Sequence, residues 1–193
     1  MIPLRQVRAR FDAQRVIVYQ AYAPAIADAA VAAQRFVPPF SLGRMTWVKP
    51  SFLWMMERCG WATKPGQERV LAVHVARADF EGWLAAAALT HAGDEGSEAW
   101  REALDRAPTR VQWDPERDLR GTRLAHRSLQ LGLGRAVAPA YAAGVLAIDD
   151  VTPLARRIDE LRRAGEWEAA RRLLPEERPY ALPAAIAQHL GAD

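Results

Sequence analysis

Apolar and polar positions along this chain switch between a period of two and a period of three to four, and the switches mark out its elements. Val16, Ile17, Val18 and Tyr19 form a β-branched and aromatic run between the polar stretch 12–15 and Gln20-Ala21-Tyr22, which predicts a buried strand. Pro24 then opens a helix. Its stripe of Ile26, Ala29, Ala33 and Phe36 recurs at steps of three and four, with Pro38 and Pro39 as the stop. Residues 44–48 predict a second strand; Pro50 suits a first helical position, and 52–58 a short helix closed by Gly60. The run 70–75 has the length and β-branched content of a central strand. Phe80, Trp83, Leu84 and Ala87 mark the next helix, 91–97 a polar loop, and Trp100 and Leu104 a helix ending near Pro108.

Val111, Gln112 and Trp113 predict a short strand, which Pro115 is expected to break, opening a loop that exposes Asp114, Glu116, Arg117 and Asp118. Leu129, Leu131 and Leu133 alternate with Gln130 and Gly132, the pattern of a strand with one polar face. Residues 144–148 predict another. Thr152 and Pro153 read as N-cap and first position of a helix, followed by a charged helical hairpin over 154–163 and 167–174 joined at Gly165. The proline-punctuated tail, 175–193, predicts loop plus a short helix. Strands and helices mix irregularly, without internal repeat or linker, so the expected architecture is α+β, a single domain over 1–193 with small mixed sheets and flanking helices.

Composition narrows the class. Half apolar and a quarter charged, the chain is written as an ordinary globular protein with length enough for a substantial core. Its net charge of +3 is the balance of 26 basic and 23 acidic residues, a weak pointer to nucleic acid. The single cysteine, Cys59, excludes an intramolecular disulfide and a cysteine-cluster metal site. Residues 1–11 lack the apolar run of a signal peptide, and no later segment holds eighteen uninterrupted apolar residues, so a cytoplasmic protein that does not enter the membrane is expected.

Candidate chemistry concentrates in 44–56. Trp47 and Trp54 fall here, Trp61 follows at the same seven-residue step, and the only lysines, Lys49 and Lys64, lie in or just after the segment. Arg44, Lys49 and Lys64 are candidates to grip a pyrophosphate or a nucleic-acid backbone, with Trp47 or Trp113 stacking on a base or nicotinamide. Strand alternation sends Arg44, Thr46 and Val48 to one face and Met45, Trp47 and Lys49 to the other, so the two sets are not expected to line one pocket. Trp54, Met55 and Met56 suit a core. His74 sits in an apolar strand, His91, His126 and His189 lack metal-ligand spacing, and no metal is expected. Ser51 has no nucleophile-elbow glycines, and Cys59 has no histidine close in sequence.

The segments Val18-Tyr19-Gln20-Ala21-Tyr22, Arg44-Met45-Thr46-Trp47-Val48-Lys49-Pro50-Ser51-Phe52-Leu53-Trp54-Met55-Met56, Gly60-Trp61-Ala62-Thr63-Lys64 and Gln112-Trp113-Asp114-Pro115-Glu116-Arg117-Asp118 together resemble the family catalogued as domain of unknown function 4291, as does the stretch 127–132. The order of elements, with Tyr19-Gln20 on the first long strand and Thr46 on the second, also looks like the opening of ADP-ribosyltransferase-like domains. That resemblance implies NAD as a substrate whose nicotinamide bond is cleaved. It implies a polar residue on the first strand (Gln20, where such families often have histidine or arginine), a hydroxyl on the second (Thr46), and a late acid at Glu116 or its role taken by Gln112 or Gln130. Around this set, Tyr19, Tyr22, Ser51, Asp114, Gln112, Trp113 and Gln130 are the further substrate-binding candidates. The expected function is an NAD-dependent ADP-ribosyltransferase-like activity on a protein or nucleic-acid acceptor; the alternatives are a nucleic-acid-binding module built on the basic, tryptophan-containing segment, and a protein-interaction domain in which that segment is a packing device.

Overall fold

The run 70–75 lies in β4 (Arg69–Ala76), buried on both faces because it is the middle strand of an antiparallel sheet, between β2 (Arg15–Tyr22) and β8 (Ala147–Asp150). The computed structural model describes residues 2–91, 93 and 96–193. A second sheet, in the order β3-β7-β6-β5, is made of β3 (Thr46–Val48), β5 (Ala87–Leu89), β6 (Thr109–Arg117) and β7 (Arg123–Leu133), all antiparallel except the parallel pair β5–β6. Arg8–Ala9 (β1) and Arg178–Pro179 (β9) form a small ribbon that ties the chain ends together.

Among the described residues, one backbone bridge joins the two larger sheets. Tyr19 N donates to Lys49 O at 2.7 Å and Lys49 N to Tyr19 O at 3.1 Å, a single antiparallel bridge between β2 and the residue after β3. Strand alternation in β2 and β4 builds a core on each side. Val16, Val18, Leu71, Val73 and Val75 face the larger one, which α1 (Pro24–Ala33) and α3 (Arg77–Ala85) cover; Ile17, Tyr19, Val70 and Ala72 face the other, under α2 (Phe52–Cys59), α6 (Thr152–Arg163) and α7 (Trp167–Leu173). Helices α4 (Glu98–Arg106), α5 (Ala138–Gly144) and α8 (Ala184–Leu190) complete a mixed α+β architecture. Among the described residues no helix is long and apolar enough to cross a membrane.

Several boundaries differ from the sequence pattern. Helix α1 stops at Ala33 because Gln34 turns left-handed (φ 51°) and its amide is spent on both backbone groups of Ile148, so Phe36 packs from a loop and the prolines stop nothing. Pro50 precedes helix α2, whose N-cap is Ser51. Thr152 lies inside α6 and accepts a hydrogen bond from Val70 N instead of capping. Helix α5, absent from the sequence reading, has seven residues and too little periodicity to show. The largest correction is β6, which runs through Pro115 to Arg117: proline's missing N–H falls at a register shift, where the ladder asks for no donor, so Asp114 and Glu116 sit on a strand and not on a solvated loop. Part of the expected loop 91–97 lies outside the described residues.

Candidate functional site

Upstream of the Tyr19–Lys49 bridge β2 and β3 diverge, leaving the outer edge of β3 unpaired by backbone. Gln20 fills the gap with its side chain. Its Nε2 donates to Trp47 O at 3.2 Å and to Thr46 Oγ1 at 2.8 Å, while its Oε1 accepts from Tyr141 Oη at 2.5 Å. At 2 % exposure, with its amide satisfied internally, Gln20 acts as a positioning residue. Thr46 Oγ1 has one hydrogen; with a lone pair already taken by Gln20, it is free to give that hydrogen to Tyr22 Oη at 2.9 Å, which leaves the phenolic hydrogen for a ligand. Burial pushes the Tyr22 and Tyr141 phenols well above their usual range, so both stay protonated donors.

This chain of hydroxyls ends in a cleft of about 750 Å³ at the seam between the sheets, within the size range of small-ligand sites. Its other wall is sheet. Gln112 and Gln130 are paired across β6 and β7, and both reach Asp114: Gln112 Nε2 donates to Oδ1 at 2.8 Å and Gln130 Nε2 to Oδ2 at 2.8 Å. A carboxylate only accepts, so it fixes which end of each amide faces it and leaves both Oε1 atoms, on residues that line the cleft, without a partner among the described residues. Arg44, Lys49 and Arg58 also line it, and among the described residues no carboxylate does. Lys49 is 3 % exposed; burial and the nearby Arg58 lower its pKa to about 8, with Asp114 opposing.

Of the residues singled out from sequence, Gln20, Tyr22, Arg44, Thr46, Trp47, Lys49, Gln112 and Gln130 share this cleft. Both faces of the 44–49 segment contribute, contrary to the alternation argument. The strand is only three residues long with an open edge, so the cleft wraps around it. Asp114 stands behind the two glutamines and holds them. The other candidates serve elsewhere. Tyr19 is in the core, edge-on to Phe52, and Trp113 is buried with its indole N–H given to Leu190 O. Ser51 caps α2 by accepting from Trp54 N, and Lys64 closes the other end of that helix by donating to Glu57 O and Arg58 O. Glu116 lies two residues past Asp114, beyond the register shift. Its Oε1 accepts from Arg117 N, and it does not line the cleft with Gln20 and Thr46.

Arg58 and Tyr141 were not legible as site residues. Arg58 lies three positions after Met55, one helical turn along the face that meets the cleft, in a helix read as core. Tyr141 sits in an alanine-rich stretch far along the chain and carries no local signal. Cys59 is buried with its thiol pKa raised by that burial, which removes it as a nucleophile. Among the described residues no group of three or more His, Cys, Asp or Glu side chains is placed to hold a metal.

Fold and site together define an α+β protein with a basic, ligand-sized cleft at the seam of two sheets. The family described as domain of unknown function (DUF4291) matches residues 6–180, and the chain belongs to that family. No curated protein matches the chain.

Proposed function

We propose that the cleft binds NAD and that the protein is an NAD-using transferase of ADP-ribosyltransferase-like form. The observation that carries this reading is the pairing of two arrays in one cleft: the Gln20–Thr46–Tyr22 chain on one wall and the Gln112–Asp114–Gln130 clamp on the other. The first places Thr46 at the second-strand position where such enzymes carry a hydroxyl and passes its hydrogen bond on to Tyr22, whose phenol is the donor to the ligand. The second supplies glutamine at the late position, where glutamate or glutamine serves. Gln112 and Gln130 take the role that the sequence comparison first offered to Glu116.

In this reading the two Oε1 atoms accept from the hydroxyls of the nicotinamide ribose. As the bond from ribose C1 to the nicotinamide nitrogen breaks, its electron pair leaves with nicotinamide. The ribose becomes oxocarbenium-like, and the carbonyl dipoles, backed by the Asp114 charge, stabilise it. The acceptor nucleophile then bonds to C1 and releases its proton to solvent. The competing reading, a nucleic-acid backbone grip, loses one of its cations because the Lys64 ammonium is engaged by helix carbonyls, and the deepest cation, Lys49, suits a small ligand better than a polymer.

The test is nicotinamide release from NAD, followed by chromatography with protein and RNA acceptors present. Asp114→Asn should lower kcat/KM by about 10- to 100-fold at unchanged fold, because an asparagine amide can satisfy at most one glutamine in the present orientation. Folded wild-type protein that neither binds NAD nor releases nicotinamide sinks the proposal. Steeply salt-dependent binding of single-stranded RNA in its place would favour the nucleic-acid reading.

A further inference from the structure

The basic side of the cleft is incomplete as it stands. Arg44, Lys49 and Arg58 line it, and among the described residues none of the three has an ion-pair partner. Elsewhere in the chain arginines near the surface find acids: Arg69 holds Asp28 and Asp150, and Arg162 and Arg163 share Asp159. Lys49 is the sharpest case, 3 % exposed as a residue, and among the described residues its ammonium has no hydrogen-bond partner. An ammonium so little exposed, facing the cleft without a counter-charge, is disfavoured, and proteins keep one where something else supplies the charge. Its position is fixed by backbone. Both main-chain groups of Lys49 are used in the bridge to Tyr19, and the β3–β7 register, carried one residue past Val48 and Leu131, sets it beside Gln130.

We infer that Lys49, with Arg44 and Arg58, forms a subsite for a diphosphate, so that the ligand of the cleft is a nucleotide carrying one. Three unpaired cations match the two to three negative charges of a diphosphate, whereas a carboxylate or a single phosphate ester leaves part of the set uncompensated. Lys49 lies deep, and the exposed Arg44 and Arg58 stand at the rim, so the phosphates span from the seam outward. The inference rests on the proposed function only in taking this cleft as the ligand site; it holds whether or not a glycosidic bond is broken.

Proton uptake accompanies binding. The charged and titratable groups acting on the free ammonium are Arg58 and Cys59 from α2 and Asp114 from β6, with burial the largest influence, and together they leave Lys49 half protonated at about pH 8. Phosphate oxygens beside it restore the proton. Affinity is therefore full below about pH 8 and falls as pH rises beyond it.

Calorimetric titration with ADP and with inorganic pyrophosphate, at pH 7 and pH 9.5, tests this on wild type, Lys49→Met and Lys49→Arg. Both ligands should bind wild type at pH 7, and Lys49→Met should bind them about 10- to 100-fold more weakly. Lys49→Arg, whose guanidinium does not titrate in this range, should keep at pH 9.5 the affinity that wild type loses. A second measurement needs no variant. With only two lysines in the chain, ADP should protect Lys49 and not Lys64 from amine acylation, read by mass spectrometry. Equal affinities of wild type and Lys49→Met, or equal acylation of Lys49 with and without ADP, overturns the inference. ADP binding that depends on Lys49 without nicotinamide release from NAD upholds the subsite and removes the transferase reading. Nicotinamide release that is indifferent to Lys49 does the reverse.

Discussion

The unpaired ammonium of Lys49 costs the ligand-free protein stability. Its pKa is near 8 in the fold against 10.5 in the unfolded chain, so the protonated form is penalised on folding. The penalty is fully present below about pH 8 and is relieved as pH rises toward 10.5, because over that window the unfolded chain binds more protons than the native one. Lys49→Met should thus raise thermal stability at pH 7 by on the order of 3 kcal/mol, and the advantage should shrink from pH 8 upward; paired melts across that range check it. At this scale the sequence offered residue types and not partners. Lys49 and Lys64 look alike on the page, yet one ends in a cleft and the other on helix carbonyls, a difference decided by Gly60, whose left-handed turn (φ 58°) brings the chain back over the end of α2. Glu116 and Asp114 lie two positions apart, and Glu116 was the late acid that the sequence offered. The register shift past Pro115 and the placement of Gln112 and Gln130 beside Asp114 separate them.

Long apolar runs such as 70–75 declared their elements, since a central strand buried on both faces has no other composition open to it. Short or interrupted elements did not. Pro115 has the sequence signature of a break, and only the pairing with β7 shows that the missing donor falls where the ladder shifts. Helix α2 adds a dependence invisible locally: its first amide, Phe52 N, donates to Glu177 Oε1 at 2.7 Å, from a segment 125 positions away. Burial and the neighbouring Glu116 raise the Glu177 pKa to about 8, while that hydrogen bond pulls the other way. The carboxyl group therefore favours the fold most when protonated, a contribution present below about pH 4.5 and lost as pH rises through about 8. Glu177→Gln, which imitates the protonated form and can still accept from Phe52, should melt with wild type near pH 4.5 and above it at pH 9.

Across the molecule, the α+β mixture was legible because strand and helix periods alternate without order. The division into two sheets was not, because it depends on where β2 and β3 part company, and no residue type announces that. Long-range polar contacts bind the division together. Tyr141 in α5 reaches Gln20 in β2, and Gln20 reaches Thr46 and Trp47 in β3. Tyr141→Phe would strand the buried Gln20 Oε1 without a donor, with an expected loss of about 1–3 kcal/mol in denaturant unfolding.

The lone bridge between Tyr19 and Lys49 makes those two amides natural reporters on the opening of the seam. Every other strand pair inside the two sheets is held by a ladder, while this contact has only two hydrogen bonds to lose. In hydrogen–deuterium exchange the Lys49 amide should therefore trade its proton by a local opening well before the amides of β4 do. A ligand gripping Gln130 on one side and Tyr22 on the other would slow that exchange, so the backbone of the residue proposed to meet the phosphates also keeps time for the closing of the cleft.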